Sequence, residues 1–371
     1  MSLAAETLVK KFAAAATLAG LGSALALLLV ACGGGVRTSG HPVSAWQKLP
    51  AAPIRVDTGL QSVWTGKELI VSGLKAAPDG TYTNATEVVA AYDPASRSWR
   101  RLTAPPKMDE YCHRSLAWTG REVVLWGCGQ AALDPGTGRW HKLPKPPTGE
   151  GIAVWTGREL VGWGGGCCGD AWDGGSAYDP ATNSWRTIAQ TPLAPSQGAL
   201  GAWTGQRLLL LVSGFNPGTA KLYPARFARA AAYDPAVDAW HRIAPLPETG
   251  IRFGSAAAWD GHELVVVGAG PDARSTFAYD PATDRWSRRA PSPLGLRNAT
   301  AFRAGDRLVI WGGGETPRAL AYDPASDRWT LLPAAPVHGT EQTAAWAGDH
   351  LIVWSDAGGA ALNPALERST R

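Results

Sequence analysis

The chain has 371 residues, with 44 Gly, 28 Pro and 18 Trp but only 2 Met, a composition of many turns and one recurrent bulky packing residue. Charged residues make up 18%, too few for a disordered, solvated chain. The formal net charge of +4 falls to +3 without residues 1–31, which hold Glu6, Lys10 and Lys11; no Lys/Arg stripe stands out, which argues against a nucleic-acid partner.

Lys10 and Lys11 precede an uncharged, Ala- and Leu-rich stretch from Phe12 to Ala31, the layout of a signal peptide. The stretch closes on Leu29-Val30-Ala31-Cys32, which resembles the bacterial lipobox. That resemblance implies a lipid on Cys32 as the mature N-terminus and anchorage to a membrane. An uncleaved membrane anchor and an ordinary cleaved signal are the other readings. All three place the remainder in the cell envelope, outside the cytoplasm. Residues 1–31 are therefore expected to be a lipoprotein signal peptide and residues 32–43, rich in Gly, a flexible tether.

From residue 44 onward the chain is repetitive. A Trp, a tight Gly turn and an apolar run recur, starting at Trp64, Trp118, Trp155, Trp203, Trp259, Phe302 and Trp346, some 37–56 residues apart. Thr-Gly, Asp-Gly and Ala-Gly between apolar runs are hairpin signals, because Gly takes positive φ without strain. Asp93, Asp179, Asp234, Asp280 and Asp323 each sit in Tyr-Asp-Pro, with a Trp six residues later. Asp134 keeps the spacing to Trp140 but follows Leu133. Asp and Pro there build turns, so these carboxylates need no functional explanation. The repeated Trp and Tyr are expected to form the core.

Each unit thus contains four strands: one before the Gly turn, one after it, one ending at Asp-Pro, and one starting at Trp. The seventh unit supplies three, around Ala344–Ala345, Leu351–Trp354 and Ala360–Leu362, and lacks the Trp strand. Trp46-Gln-Lys-Leu-Pro matches Trp140-His-Lys-Leu-Pro and can supply it from the other end. The expected fold is all-β: a seven-bladed β-propeller of four-stranded antiparallel blades over residues 44–371. The N-terminal strand completes the last blade and closes the ring.

These repeats resemble the kelch repeat, whose signature is an apolar run, a Gly pair, and Tyr and Trp seven positions apart. Leu308 to Gly313 with Tyr322 and Trp329 carries it most fully, and Gly164-Gly165 with Tyr178 and Trp185 carries it again. The Gly pair is incomplete in the other five units, so the resemblance is to a divergent member. Asp-Pro-Ala-Thr-Asp-Arg-Trp is also similar to the quinoprotein propeller repeat, though there the Trp lies farther from the Asp.

Gly164 to Gly169 fits GxGxxG but precedes no helical pattern, and His262-Glu263 starts no HExxH. Copper-radical oxidases share the kelch propeller, but the scattered Tyr and His do not assemble their ligand set. No cofactor is implied. Beyond Cys32, an exported location favours oxidation of Cys112, Cys128, Cys167 and Cys168. The favoured disulfides are Cys112–Cys128, placed symmetrically about Gly120, and Cys167–Cys168; a four-Cys metal site is the alternative.

Loops 74–87, 166–175 and 214–229 are long and share one face, opposite the uniform Gly turns. At the starts of the innermost strands stand His113, Arg114, Glu150, Gln197, Arg252, Arg297, Asn298, Glu341 and Gln342. Kelch domains that bind ligands use polar residues, often Arg, at this rim. The resemblance therefore implies a binding mouth there; a merely solvated rim is the bland reading. Two functions fit: a monomeric, non-catalytic module binding an envelope protein or glycan, or a sugar-acting enzyme similar to the kelch mutarotases, with Glu150 and Glu341 as acid/base groups. A purely structural role in the envelope is a third.

Overall fold

A computed structural model describes residues 46–363, apart from 83, 107–114, 128–129, 149–150, 167–168, 220, 248–253, 313–316 and 340. The signal and tether segments, all five Cys, and His113, Arg114, Glu150 and Arg252 lie outside the described residues.

The described residues form seven four-stranded antiparallel sheets, numbered here as blades in chain order. The innermost strands are Thr58–Trp64, Ser115–Trp118, Ile152–Trp155, Leu200–Trp203, Ala256–Trp259, Thr300–Ala304 and Gln342–Ala347. Each touches the next, and the seventh touches the first, so the blades close into a β-propeller.

The Gly turns of blades 1 to 4 have a common chemistry. Thr65 Oγ1 accepts the N–H of Glu68 and donates to its carbonyl, both at 3.0 Å, while Gly66 takes φ +89 between them. Thr119, Thr156 and Thr204 repeat the arrangement. At the other turn of blades 1 to 6, the Asp of Asp-Pro accepts the N–H two residues on, as in Asp93 with Ala95 at 2.8 Å and Asp280 with Ala282 at 2.8 Å.

Blade 6 departs from the expected register. Arg303, not Phe302, pairs with Leu308 as Trp64 pairs with Leu69, and Phe302 faces Val309. The cause is the extra residue before Gly305. That glycine, at φ +68, must occupy the turn, and the strand shifts by one to meet it.

Strand Trp46–Lys48 completes blade 7, with Trp46 opposite Leu362, Gln47 opposite Ala361 and Lys48 opposite Ala360. Three residues from the other end of the propeller thus supply the outermost strand of this blade.

The repeated aromatics divide their work. Tyr92, Tyr178, Tyr233, Tyr279 and Tyr322 are at most 2% exposed and belong to the core. The outermost-strand Trp residues are only half-buried, apart from Trp46, because they lie at the rim and act as clasps between blades. Every one donates its indole N–H to a backbone carbonyl just past the outermost strand of the preceding blade. Trp99 reaches Pro50, Trp140 Thr103, Trp185 Pro144, Trp240 Ala189, Trp286 Ala244, Trp329 Ala290 and Trp46 Pro333, at 2.8–3.0 Å. The blades are therefore joined by hydrogen bonds as well as by packing.

In three clasps the same backbone residue is held twice. Ala189, Ala244 and Ala290 also donate their N–H to Asp238, Asp284 and Asp327. Those carboxylates in turn accept the hydroxyls of Tyr233, Tyr279 and Tyr322 at 2.6–2.7 Å. Where the clasped residue is Pro50 or Pro144 there is no N–H to give, and the matching turn position holds Arg97 or Asn183 instead of Asp.

Candidate functional site

The Gly and Asp-Pro turns share one face; the loops between second and third strands and the segments leading into innermost strands share the other. On that second face the longest loop, 212–229, is tied to itself. Asn216 N–H donates to Lys221 O and Tyr223 N–H to Gly214 O, both at 2.8 Å. Tyr223 and Phe227 meet edge-on at 5.6 Å and pack against the apolar cluster of blades 3 and 4 that includes Leu193 and Val212, which anchors the loop. Burial, with the Asp173 carboxylate nearby, pushes the Tyr223 hydroxyl above its ordinary value.

Loop 164–174 of blade 3 leans on blade 4. Gly165 N–H donates to Ser196 O and Ser196 N–H to Trp172 O, at 2.9 and 3.0 Å. Gln197 Nε2 reaches Asp170 O at 2.7 Å. Trp172 and Phe215, at the tips of these loops, remain 42% and 41% exposed.

Between loop 212–229 and the segments leading into blades 4, 5 and 6 lies a cleft of about 530 Å³. Leu200, Phe215 and Pro217 give it apolar walls, with Ser213, Ser255 and Arg297 as polar groups. The Ser255 hydroxyl donates to Gly268 O at 3.0 Å, which fixes its oxygen as an acceptor. Arg297 is exposed and, among the described residues, has no ion pair or hydrogen-bond partner for its guanidinium. The floor is tightly built: a Cβ on Gly254 would stand 2.3 Å from Asn298 N, and Gly254 takes φ +99. Asn298 itself takes φ +50, which lets Ala299 N–H turn back to Gly254 O at 2.9 Å.

Of the nine rim residues expected from sequence, Gln197 and Arg297 line this cleft, and Asn298 shapes its floor. Glu341 and Gln342 stand elsewhere, at the seam between blades 7 and 1. Glu341 accepts Leu60 N–H at 3.3 Å and the Thr58 hydroxyl at 3.5 Å, and Gln342 Nε2 donates to Gly339 O at 3.0 Å. The neighbouring Ser62 and Thr343 hydroxyls meet at 2.7 Å, so this is a polar seam in the ring. The four remaining rim residues lie outside the described residues. Ser213 and Ser255 escaped the sequence reading because single small hydroxyls carry no spacing signal. Among the described residues, no three His, Cys, Asp or Glu are grouped to hold a metal ion, and no helix is long and apolar enough to cross a membrane.

No protein-family model and no curated protein matches the chain. The solved structure of YjhT resembles it with a TM-score of 0.53 at 12% identity, over 76% of this chain and 99% of that one. At that identity the likeness speaks for the fold alone.

Proposed function

We propose that the protein is a non-catalytic binding module of the cell envelope, a divergent kelch-type propeller held to a membrane by a lipid on Cys32. It presents the variable-loop face to a protein or glycan. The observation that carries this reading is the cleft between blades 4, 5 and 6. Its volume of about 530 Å³ falls in the usual range for small-ligand sites, and apolar walls surround the fixed Ser255 hydroxyl and an Arg297 guanidinium without a partner among the described residues. Such a lining favours a ligand with an apolar or ring face beside a carboxylate or other anionic group. Exposed Trp172 and Phe215 beside it suit a broader contact, of the kind a protein or oligosaccharide makes.

The catalytic alternative, a sugar-converting propeller, draws less support. Glu341, one of its two acid/base candidates, is turned to the seam between blades 7 and 1. Ligand-observed proton NMR with a panel of neutral and acidic sugars separates the readings. Saturation transfer that disappears in Arg297→Ala and Phe215→Ala, with unchanged anomer exchange, is the result expected of a binding module. Accelerated anomer exchange or a new product would overturn it in favour of an enzyme.

A further inference from the structure

The seam between blades 7 and 1 also holds a second cleft, on the face opposite the variable loops. Its volume is about 470 Å³, and Leu49, Trp64, Lys67, Tyr92, Arg97 and Ile352 contribute to its lining. A comparison among the blades explains why space opens here. In blades 4, 5 and 6 the core tyrosine donates its hydroxyl to a carboxylate five residues on, at 2.6–2.7 Å. In blade 3 Tyr178 donates to Asn183 at 3.0 Å. Blade 1 has Arg97 at that place. Arg97 keeps the turn conformation, φ +52 against +50 for Asp238, but its guanidinium reaches away to Gln47 Oε1 at 2.8 Å and Lys48 O at 3.1 Å. Tyr92 is 2% exposed, and its hydroxyl has no hydrogen-bond partner among the described residues. A hydroxyl in the cleft wall with no acceptor of the chain's own is a donor that a ligand can engage.

We propose that this cleft binds a small carboxylate-bearing molecule, whose carboxylate takes the place on Tyr92 that Asp238, Asp284 and Asp327 fill on the tyrosines of their own blades. Blade 4 displays the arrangement already assembled. There the Tyr233 hydroxyl donates to Asp238 Oδ1 at 2.6 Å, and Arg186 Nη1 lies 3.3 Å from both oxygens. In blade 1 the phenol is present and the carboxylate is not; Gln47 holds the position of Arg186, next to the Trp of the preceding blade, and the cation of the cleft is Arg97 itself. Arg97 spends two of its five N–H donors on the strand Trp46–Lys48, which leaves others for the ligand. Lys67 adds a second cation to the lining. The acids of the cleft are already engaged, Asp93 by Ala95 N–H and the Ser96 hydroxyl, and Asp349 by His350 and Asn363. Leu49, Trp64 and Ile352 supply apolar wall for the rest of the molecule, so an aromatic or branched carboxylic acid fits better than a highly polar one.

The experiment is an NMR titration of the protein with benzoate, and with benzamide as the neutral isostere. Benzoate is expected to bind at least about tenfold more tightly than benzamide, and Tyr92→Phe to weaken benzoate by about tenfold, as expected for the loss of one hydrogen bond to a charged group. Arg97→Asp, which puts a carboxylate of the chain's own on Tyr92, is expected to abolish benzoate binding. Unfolding midpoints of both variants establish that each is folded. Failure of benzoate to bind, equal binding of benzamide, or unchanged binding by folded Tyr92→Phe would each overturn the proposal. Binding that Tyr92→Phe leaves unchanged and Arg297→Ala removes would assign benzoate to the cleft at the variable-loop face instead, so the two sites are read separately.

Discussion

Trp46 donates its indole N–H to the carbonyl of Pro333, 287 positions later in the chain, at 2.8 Å. The same bond joins every other pair of neighbouring blades, but there the partners lie within about one repeat of each other. In blade 7 the clasp and the strand pairing of Trp46–Lys48 with Gly358–Leu362 come from the N-terminal end of the propeller. Blade 7 is therefore the blade completed by a long-range pairing in a fold of otherwise local repeats, and that pairing rests on few residues.

Deletion of residues 44–50 removes that strand, the Trp46 clasp and the Pro50 carbonyl that receives Trp99. It also exposes the edge of Gly358–Leu362 to other chains. The expected outcome is a sharply lowered unfolding midpoint with aggregation on heating, followed by scanning calorimetry and light scattering. A deletion variant that melts like the parent would contradict closure by this strand.

The clasps have a separable hydrogen-bond component. Trp240→Phe keeps an aromatic ring against Tyr233 but gives up the bond to Ala189 O, at an expected cost of about 1 kcal/mol. Trp240→Ala loses the ring packing as well, at an expected cost of about 3 kcal/mol. Equilibrium urea unfolding measures both, and equal losses in the two variants would assign the whole effect to packing.

Stability is expected to fall at both ends of the pH scale. Burial raises the Asp238 pKa, but hydrogen bonds from Tyr233 and Ala189 and the Arg186 charge outweigh it and hold the carboxyl below its ordinary value. The hydroxyl and amide partners of Asp134 and Asp280 do the same for them. A carboxyl depressed in the folded state stabilises above its unfolded pKa, and this contribution is lost as pH falls through about 4 towards the folded value. The tyrosines act in the opposite sense. Burial, with Glu122 and Asp179 nearby, pushes Tyr178 up to about 12, and burial with their Asp partners pushes Tyr279 and Tyr322 higher still. Their contribution is complete below about 10 and is lost above it, where the unfolded chain ionises first. Melting temperature should be level from about pH 5 to 9 and drop outside that window. Tyr279→Phe should flatten the alkaline limb.

The outermost strands carry a feature that no stretch of sequence displays. Across all seven of them there are eleven Lys or Arg and no Asp or Glu. Each strand contributes one to three, a blade apart in the chain, so no basic run appears until the ring sets them on one circumference. Each strand is hydrogen-bonded on one side only, and a like-charged edge resists pairing with a second copy. Arg285, Arg288 and Arg328 replaced together by Thr should raise light scattering at low ionic strength without lowering the melting temperature. Unchanged scattering would show that the edges are protected by other means.

The fold was legible because its determinants repeat: Gly at the inner turn, Asp-Pro at the outer one, Tyr and Trp between. Even the closing strand could be matched by its likeness to Trp140-His-Lys-Leu-Pro. The register of blade 6 was missed because an aromatic, Phe302, was weighted above the glycine that fixes the turn. The clasps were invisible for a different reason. A Trp in a strand looks the same whether its ring packs in a core or its N–H reaches a neighbouring blade. At the rim, strand position alone placed Glu341 and Arg297 together. The structure sends one into a seam and leaves the other in a cleft, because that choice depends on loops from three blades.

The placement of the closing strand also sets how the ring answers a pull. Trp46 and Leu362 are directly opposite in an antiparallel pair, so the first strand begins beside the point where the last one ends. Tension between them loads one hydrogen-bonded step at a time, as in opening a zipper, rather than the whole strand in shear. Three residue pairs and the Trp46 clasp then bear the load in sequence. Pulled between handles flanking Trp46 and Asn363 in an optical trap, the first event should be a small, low-force opening of blade 7, with the other six blades still intact. A ring sealed in this way gives first at the point where it was closed.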